Sequence, residues 1–150
     1  MNSQQDGLEL KLRCAIPARR KRVFAALTEP DAVASWRGPS GFTTPEINLD
    51  AREGGHYRIT MQPPEGTAFH LAGEFLEITA PTLLAYTFRW EEPDPDDRET
   101  IVRLSLQSVG DATRVVLSQG FFATQERLGL HTRGWSESFE KLRAFLESDQ

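Results

Sequence analysis

Three histidines, His56, His70 and His131, are the chain's only imidazoles, and a single cysteine, Cys14, is its only thiol. The histidines are too scattered for paired metal ligands, no second cysteine completes a zinc set, and no His-x-x-x-His helix is present. No metal site and no cofactor are expected. A serine nucleophile would need a sharp Gly-x-Ser-x-Gly turn, which is absent. Gly54-Gly55 runs into a strand pattern rather than a helix, so it is no phosphate cradle. His70 and Glu74 share a strand face, yet four residues of strand span about 13 Å, too far for an acid–base pair without a bend. His131 is different, because it lies on the apolar side of a helical stretch one turn before Trp135. It reads either as a satisfied core residue or as a hydrogen-bonding group facing an enclosed space.

The aromatic residues outnumber these polar groups and suggest burial of something apolar. Trp36, Phe42, Tyr57, Phe69, Phe75, Tyr86, Phe88, Trp90, Phe121, Trp135 and Phe139 exceed what filling a core alone requires, and ligand sites are typically apolar and aromatic with a few polar groups fixing orientation. Tyr57, Tyr86, Gln119 and His131 are the polar members of this set.

The elements that must position them are readable from period. Leu8, Leu10, Leu12, Cys14 and Ile16 alternate with Glu9, Lys11 and Arg13, which is a half-buried strand. Cys14 on its apolar side is expected to be a structural thiol. Pro17 suits the first turn of a helix carrying Val23, Phe24 and Leu27. Thr28 with Asp31 resembles a capping box opening a second short helix to Trp36, which Gly38-Pro39-Ser40-Gly41 ends. From Phe42 the alternation of Tyr57-Ile59-Met61, Leu84-Tyr86-Phe88-Trp90, Val102-Leu104-Leu106 and Thr113-Val115-Leu117 predicts an antiparallel meander with short connections. Gly73 is expected to mark a bulge or bend. Leu128, His131, Trp135, Phe139, Leu142 and Leu146 then recur at helical spacing over about Thr124 to Glu147, roughly 35 Å of helix. Gly129 and Gly134 inside it predict close approach or room beside the helix.

Composition restricts the partners. The chain has 150 residues, 39% apolar and 26% charged, enough for one hydrophobic core. Seventeen basic against 22 acidic residues give a net charge of −5, the wrong sign for nucleic-acid binding. No apolar run is long enough to span a bilayer. Met1 to Gly7 is polar, unlike a signal peptide, and is expected to be a disordered tail before a single domain over residues 8–148. One unpaired cysteine agrees with a cytoplasmic location. Arg19, Arg20, Lys21 and Arg22 oppose the dipole at a helix start, and a contact with an acidic protein partner would explain them better than helix stability does.

The order of these signals resembles the START-like superfamily, also called SRPBCC. It is closest to the branch related to the C-terminal domain of the activator of the Hsp90 ATPase (AHSA1-like). The resemblance rests on Ile16-Pro17-Ala18, Val23-Phe24, Ala26-Leu27-Thr28, Trp36 with Gly38-Pro39 and Gly41-Phe42. It continues through Gly54-Gly55 before Tyr57-Arg58, Met61, Gly73 with Phe75 and Glu77-Ile78, Phe88-Arg89-Trp90, and His131 with Gly134-Trp135, Phe139 and Leu142. It covers about Leu8 to Leu146. One departure is Gln119, where many relatives place a histidine. The resemblance implies an α+β helix-grip fold, a curved antiparallel sheet of about six or seven strands around a long C-terminal helix.

Function is then expected in a cavity between helix and sheet. A small hydrophobic or amphipathic ligand, such as a lipid, sterol or polyketide, would be held by Trp36, Phe42, Tyr57, Ile59, Met61, Phe75, Tyr86, Phe88, Trp90, Leu104, Gln119, Phe121, Leu128, His131 and Trp135. Two alternatives stand beside this. One is a co-chaperone-like module using the basic cluster. The other is a cyclase-like or dehydratase-like enzyme using His131, Tyr57 or Tyr86 as acid or base, although no diagnostic catalytic set is present.

Overall fold

The computed structural model describes residues 8–148; the tail expected at residues 1–7 lies outside the described residues. Strand β1 (Leu10–Ile16) opens the chain. Its alternation holds, with Leu10 and Ile16 buried and Lys11, Arg13 and Ala15 exposed. Cys14 is half-buried on the inner side, and burial pushes its thiol pKa up, opposed by the charge of Arg143. It stays a protonated, structural thiol.

Helix α1 (Arg20–Thr28) begins later than Pro17 predicts. Pro17 lies in a bend closed by Ala18 N donating to Ile16 O at 2.8 Å, and Arg19 is the N-cap. Helix α2 (Pro30–Trp36) is capped by Glu29, with Pro30 in its first turn. The Thr28–Asp31 capping box does not form, because Thr28 Oγ1 instead donates back to Phe24 O at 2.9 Å. Proline, pre-set for the first turn, starts this helix in its place.

Strands β2 (Thr43–Leu49), β3 (His56–Gln62), β4 (Phe69–Thr79), β5 (Leu83–Trp90), β6 (Thr100–Val109) and β7 (Ala112–Gly120) follow. With β1 they form one seven-stranded antiparallel sheet, in the order β1-β7-β6-β5-β4-β3-β2. The final helix, α3 (Gln125–Ser148), packs on β1 and α2. This is the α+β helix-grip arrangement expected from the sequence.

Gly73 serves the curl differently from the expected bulge. The register of β4 against β5 shifts between Phe75 and Glu77, and Gly73 pairs regularly with Tyr57 on β3. The Tyr57 ring crosses over Gly73 to donate its hydroxyl to Thr87 O at 2.7 Å, one strand further on. A Cβ at position 73 would lie 2.0 Å from Thr87 O and 2.5 Å from Tyr57 Cε1. Only glycine fits beneath that ring.

The buried face of α3 is uneven. Trp135, Phe139, Leu142 and Leu146 are buried, whereas Leu128 and His131, nearer its start, are only partly so. A Cβ at Gly129 would meet nothing within 4 Å, so close approach does not explain that glycine. We predict that Gly73→Ala costs about 3 kcal/mol or more, since a backbone carbonyl and a buried ring must both move. Gly129→Ala should instead gain up to about 1 kcal/mol from helix propensity. Urea midpoints compare the two, and equal stabilities would contradict the role given to Gly73.

Candidate functional site

The site is built around the turn that follows α2. Arg37 N closes the helix onto Val33 O, and Gly38 then takes φ +95°, a conformation that favours glycine. Three positions of α3 hold this turn. Ser138 Oγ accepts from Gly38 N at 3.1 Å, Glu137 Oε1 accepts from Ser40 N at 2.9 Å, and Lys141 Nζ donates to the carbonyls of Arg37 and Pro39 at 3.4 and 3.3 Å.

On the N-terminal side of this attachment, a cavity of about 480 Å³ separates α3 from the sheet. Phe42, Met61, Phe69, Leu71, Phe88 and Trp90 form its sheet wall, and Leu130, His131, Gly134, Trp135 and Ser138 its helix wall. The aromatic wall is continuous: Phe42–Phe69, Phe69–Trp90 and Phe88–Trp90 meet edge-on at 6.1, 5.2 and 5.3 Å between centroids. A Cβ at Gly134 would find only Pro39 Cγ, at 3.8 Å, so this glycine leaves room beside the helix.

Two arginines border the space. Arg127 ties α3 to the β5–β6 loop, with Nη2 2.6 Å from Asp94 and Nε 3.1 and 3.4 Å from Asp96 and Asp97. Much of the acidic segment therefore surrounds one partly buried cation at the cavity's edge. Arg37 is only 8% exposed, and its guanidinium lies 4.7 Å from the Trp135 ring centroid and 5.9 Å from those of Phe88 and Trp36. His131 sits against Phe122, Phe88 and Trp90, 4.8, 5.4 and 6.1 Å between centroids. Burial among these rings, reinforced by the charges of Arg127 and Arg37, lowers its pKa to about 4. The imidazole is neutral at pH 7.

The sequence model of the family described as Activator of Hsp90 ATPase homolog 1-like protein matches residues 17–147. The chain belongs to this AHSA1-like family. Similar solved structures include a protein of Nitrosomonas europaea, 27% identical over 97% of each chain with a TM-score of 0.81. Another is a Silicibacter pomeroyi protein named AHSA1, 25% identical over 95% of this chain and 99% of that one, with a TM-score of 0.83. A Chromobacterium violaceum protein, 24% identical over 94% and 98%, shares the fold with a TM-score of 0.82. Among curated proteins no sequence matches.

Within this AHSA1-like fold the fifteen expected site residues divide into groups. Phe42, Met61, Phe88, Trp90, His131 and Trp135 line the large cavity. Trp36, Tyr57, Ile59, Phe75, Tyr86 and Leu104 lie deeper, around a void of only about 20 Å³. There Tyr57, Phe75 and Tyr86 pack on one another at 5.4 to 5.8 Å, and Trp36 donates its indole N–H to Ala26 O at 2.8 Å. Gln119 is wholly buried as a strut, accepting from Trp135 Nε1 and donating to Thr100 Oγ1, both at 2.8 Å. Leu128 packs against the core beside the cavity. Phe121 is 44% exposed, because β7 ends at Gly120 and the alternation does not continue beyond it. Phe122 turns inward in its place, against His131.

Sequence reasoning missed Arg37, Leu71 and Arg127, and counted Phe69 among the aromatics without assigning it to the site. Arg37 stands inside the Trp36–Pro39 motif, but a charge beside Gly-Pro reads as solvated loop. His70 Nδ1 meets Glu92 Oε2, a carboxylate of the cavity lining, at 2.6 Å rather than Glu74. Glu91 joins them with ligating atoms all within 4.8 Å, and is itself held by Arg58 at 2.9 and 3.0 Å.

The lowered His131 pKa predicts a pH effect on stability. An unfolded imidazole protonates near pH 6.5 and the folded one near 4, so protons favour unfolding and stability falls as pH drops through that window. At pH 4.5 the loss should be about 2.5 kcal/mol relative to neutral pH. His131→Phe, which suits the same aromatic surroundings, should lack this component of the pH dependence. Urea unfolding of both proteins at pH 7.5 and 4.5 measures it, and identical pH slopes would contradict the assignment.

Proposed function

We propose that this AHSA1-like chain binds a small, largely apolar molecule in the cavity between α3 and the sheet. The observation that carries this reading is the cavity of about 480 Å³, walled mainly by aromatic and aliphatic side chains. Its volume lies within the roughly 300–1,000 Å³ usual for ligand sites. Burial of apolar ligand surface, at about 25 cal/mol per Å², would supply the affinity. Lipids, sterols and aromatic polyketides are the classes to test.

Catalytic use of the same cavity would rest on His131, since the Tyr57 hydroxyl is donated to Thr87 O and Tyr86 lines the small deep void. The family description names an activator of the Hsp90 ATPase, an activity that would engage a protein surface. Of the basic cluster offered for that role, Arg19 pairs with Asp111 at 2.7 Å and Arg22 reaches Leu146 O at 3.4 Å. The cavity is the better supported site.

Native mass spectrometry of gently purified protein should reveal a bound molecule, and added ligand should quench Trp90 and Trp135 fluorescence. Saturation at 100 times Kd stabilises by about 2.7 kcal/mol, which raises the melting temperature by several degrees. Gly134→Leu should fold normally and lose both responses, because its side chain projects beside Pro39 into the cavity. Failure of all three ligand classes to shift the wild type, or unchanged binding by Gly134→Leu, would remove the basis for this reading.

A further inference from the structure

Arg37 is the unbalanced group of the cavity. Its side chain is more than nine-tenths buried, and no carboxylate among the described residues lies within ion-pair distance of it. Its one hydrogen bond among those residues runs from Nη1 to Tyr86 Oη, and at 3.5 Å it is long. Among the described residues no side-chain nitrogen sealed from solvent lacks a partner, so the unbonded N–H groups of the guanidinium open onto cavity space.

A guanidinium cannot escape by deprotonation, and burying an uncompensated charge is costly. The faces of Trp36, Phe88 and Trp135 return part of that cost through cation–π attraction. They cannot satisfy a planar fork of donors, which matches a carboxylate edge to edge. The other cation of the wall is already engaged, since Arg127 holds three carboxylates, and the remaining carboxylate of the lining, Glu92, is held by His70. Ser138 supplies a second polar group. Its Oγ accepts from Gly38 N, and its own hydroxyl hydrogen bonds to no described residue although it lines the cavity.

Resting on the cavity reading above, we infer that the ligand is a small amphipathic monocarboxylate, whose carboxylate pairs with Arg37 while its apolar body lies along Phe69, Phe88 and Trp90. One unmatched positive charge matches one negative charge. A dianionic phosphate would bring a second charge to a lining whose other cation is already engaged and which carries carboxylates of its own.

Matched probes test this at pH 7.5. The affinities of 1-naphthoate and 1-naphthylmethanol, and of decanoate and decanol, are measured by tryptophan fluorescence and calorimetry. Each carboxylate should bind wild type at least about tenfold more tightly than its alcohol. Arg37→Met should lower the carboxylate affinity to that of the alcohol and leave the alcohol within about threefold. Arg37→Lys, which keeps the charge without the fork, should retain part of the preference. A measurement on the unaltered protein guards against a variant that does not fold. The Arg37 Nε–H resonance should shift on adding naphthoate and not on adding the alcohol. Equal affinities within both pairs, a preference that survives Arg37→Met, or an unmoved Arg37 resonance would overturn the anion assignment and leave the cavity reading standing. If no probe binds at all, both readings fall.

Discussion

The attachment of α3 to the turn after α2 is the constraint on which the cavity depends. Ser138, Glu137 and Lys141 grip the backbone of residues 37–40, while Phe139, Leu142 and Leu146 bury the same end of the helix. The first turns of α3 are held more loosely, with Leu128 and His131 only partly buried against the core and β5. Their charged tie to the rest of the molecule runs through Arg127 to the acidic β5–β6 loop. A stiff helix anchored firmly at one end and tied by ion pairs at the other leaves space between, and the space is where Phe69 of β4 and Phe88 and Trp90 of β5 point.

That geometry separates two regions that look alike in one dimension. Alternation identifies Tyr57, Phe75, Tyr86, Phe88 and Trp90 as inward-facing, and they are, except that Trp90 is only partly buried. Period alone does not say whether the facing element fills the volume opposite. Behind Arg37 the short helices bring Leu27, Val33 and Trp36 against Tyr57, Phe75 and Tyr86, and the interior closes to a void of about 20 Å³. In front of it α3 presents Gly134 and Ser138, and the interior stays open. Arg37 lines both, so it stands at the partition.

Element order, the antiparallel meander and the long closing helix were legible because each rests on a sustained period over several turns or strand residues. What was not legible depends on single residues at element ends. Pro17 and Thr28 carried plausible helix-start chemistry, but Pro30 starts α2 and Arg19 precedes α1. Phe121 followed the phase of β7 past the point where the strand stops. Gln119 is expected among the polar groups that orient a ligand; a fully buried amide needs partners on both sides, and Trp135 and Thr100 provide them. Arg37 failed in the opposite direction. Its charge argued for solvent, whereas three aromatic rings, distant in sequence except for Trp36, make an interior position tolerable.

His131 and Arg37 describe one electrostatic condition from two sides. The imidazole pKa is lowered chiefly by burial, and then by the positive charges of Arg127 and Arg37. Arg127 is paired with carboxylates, so Arg37 is the lining cation whose own donors no described carboxylate meets. A proton on His131 would add a second charge of the same sign to that enclosure; a carboxylate beside Arg37 would remove the first. The same walls that keep the imidazole neutral thus favour an anion over a cation as occupant. They do so through one permanently charged side chain held against aromatic faces.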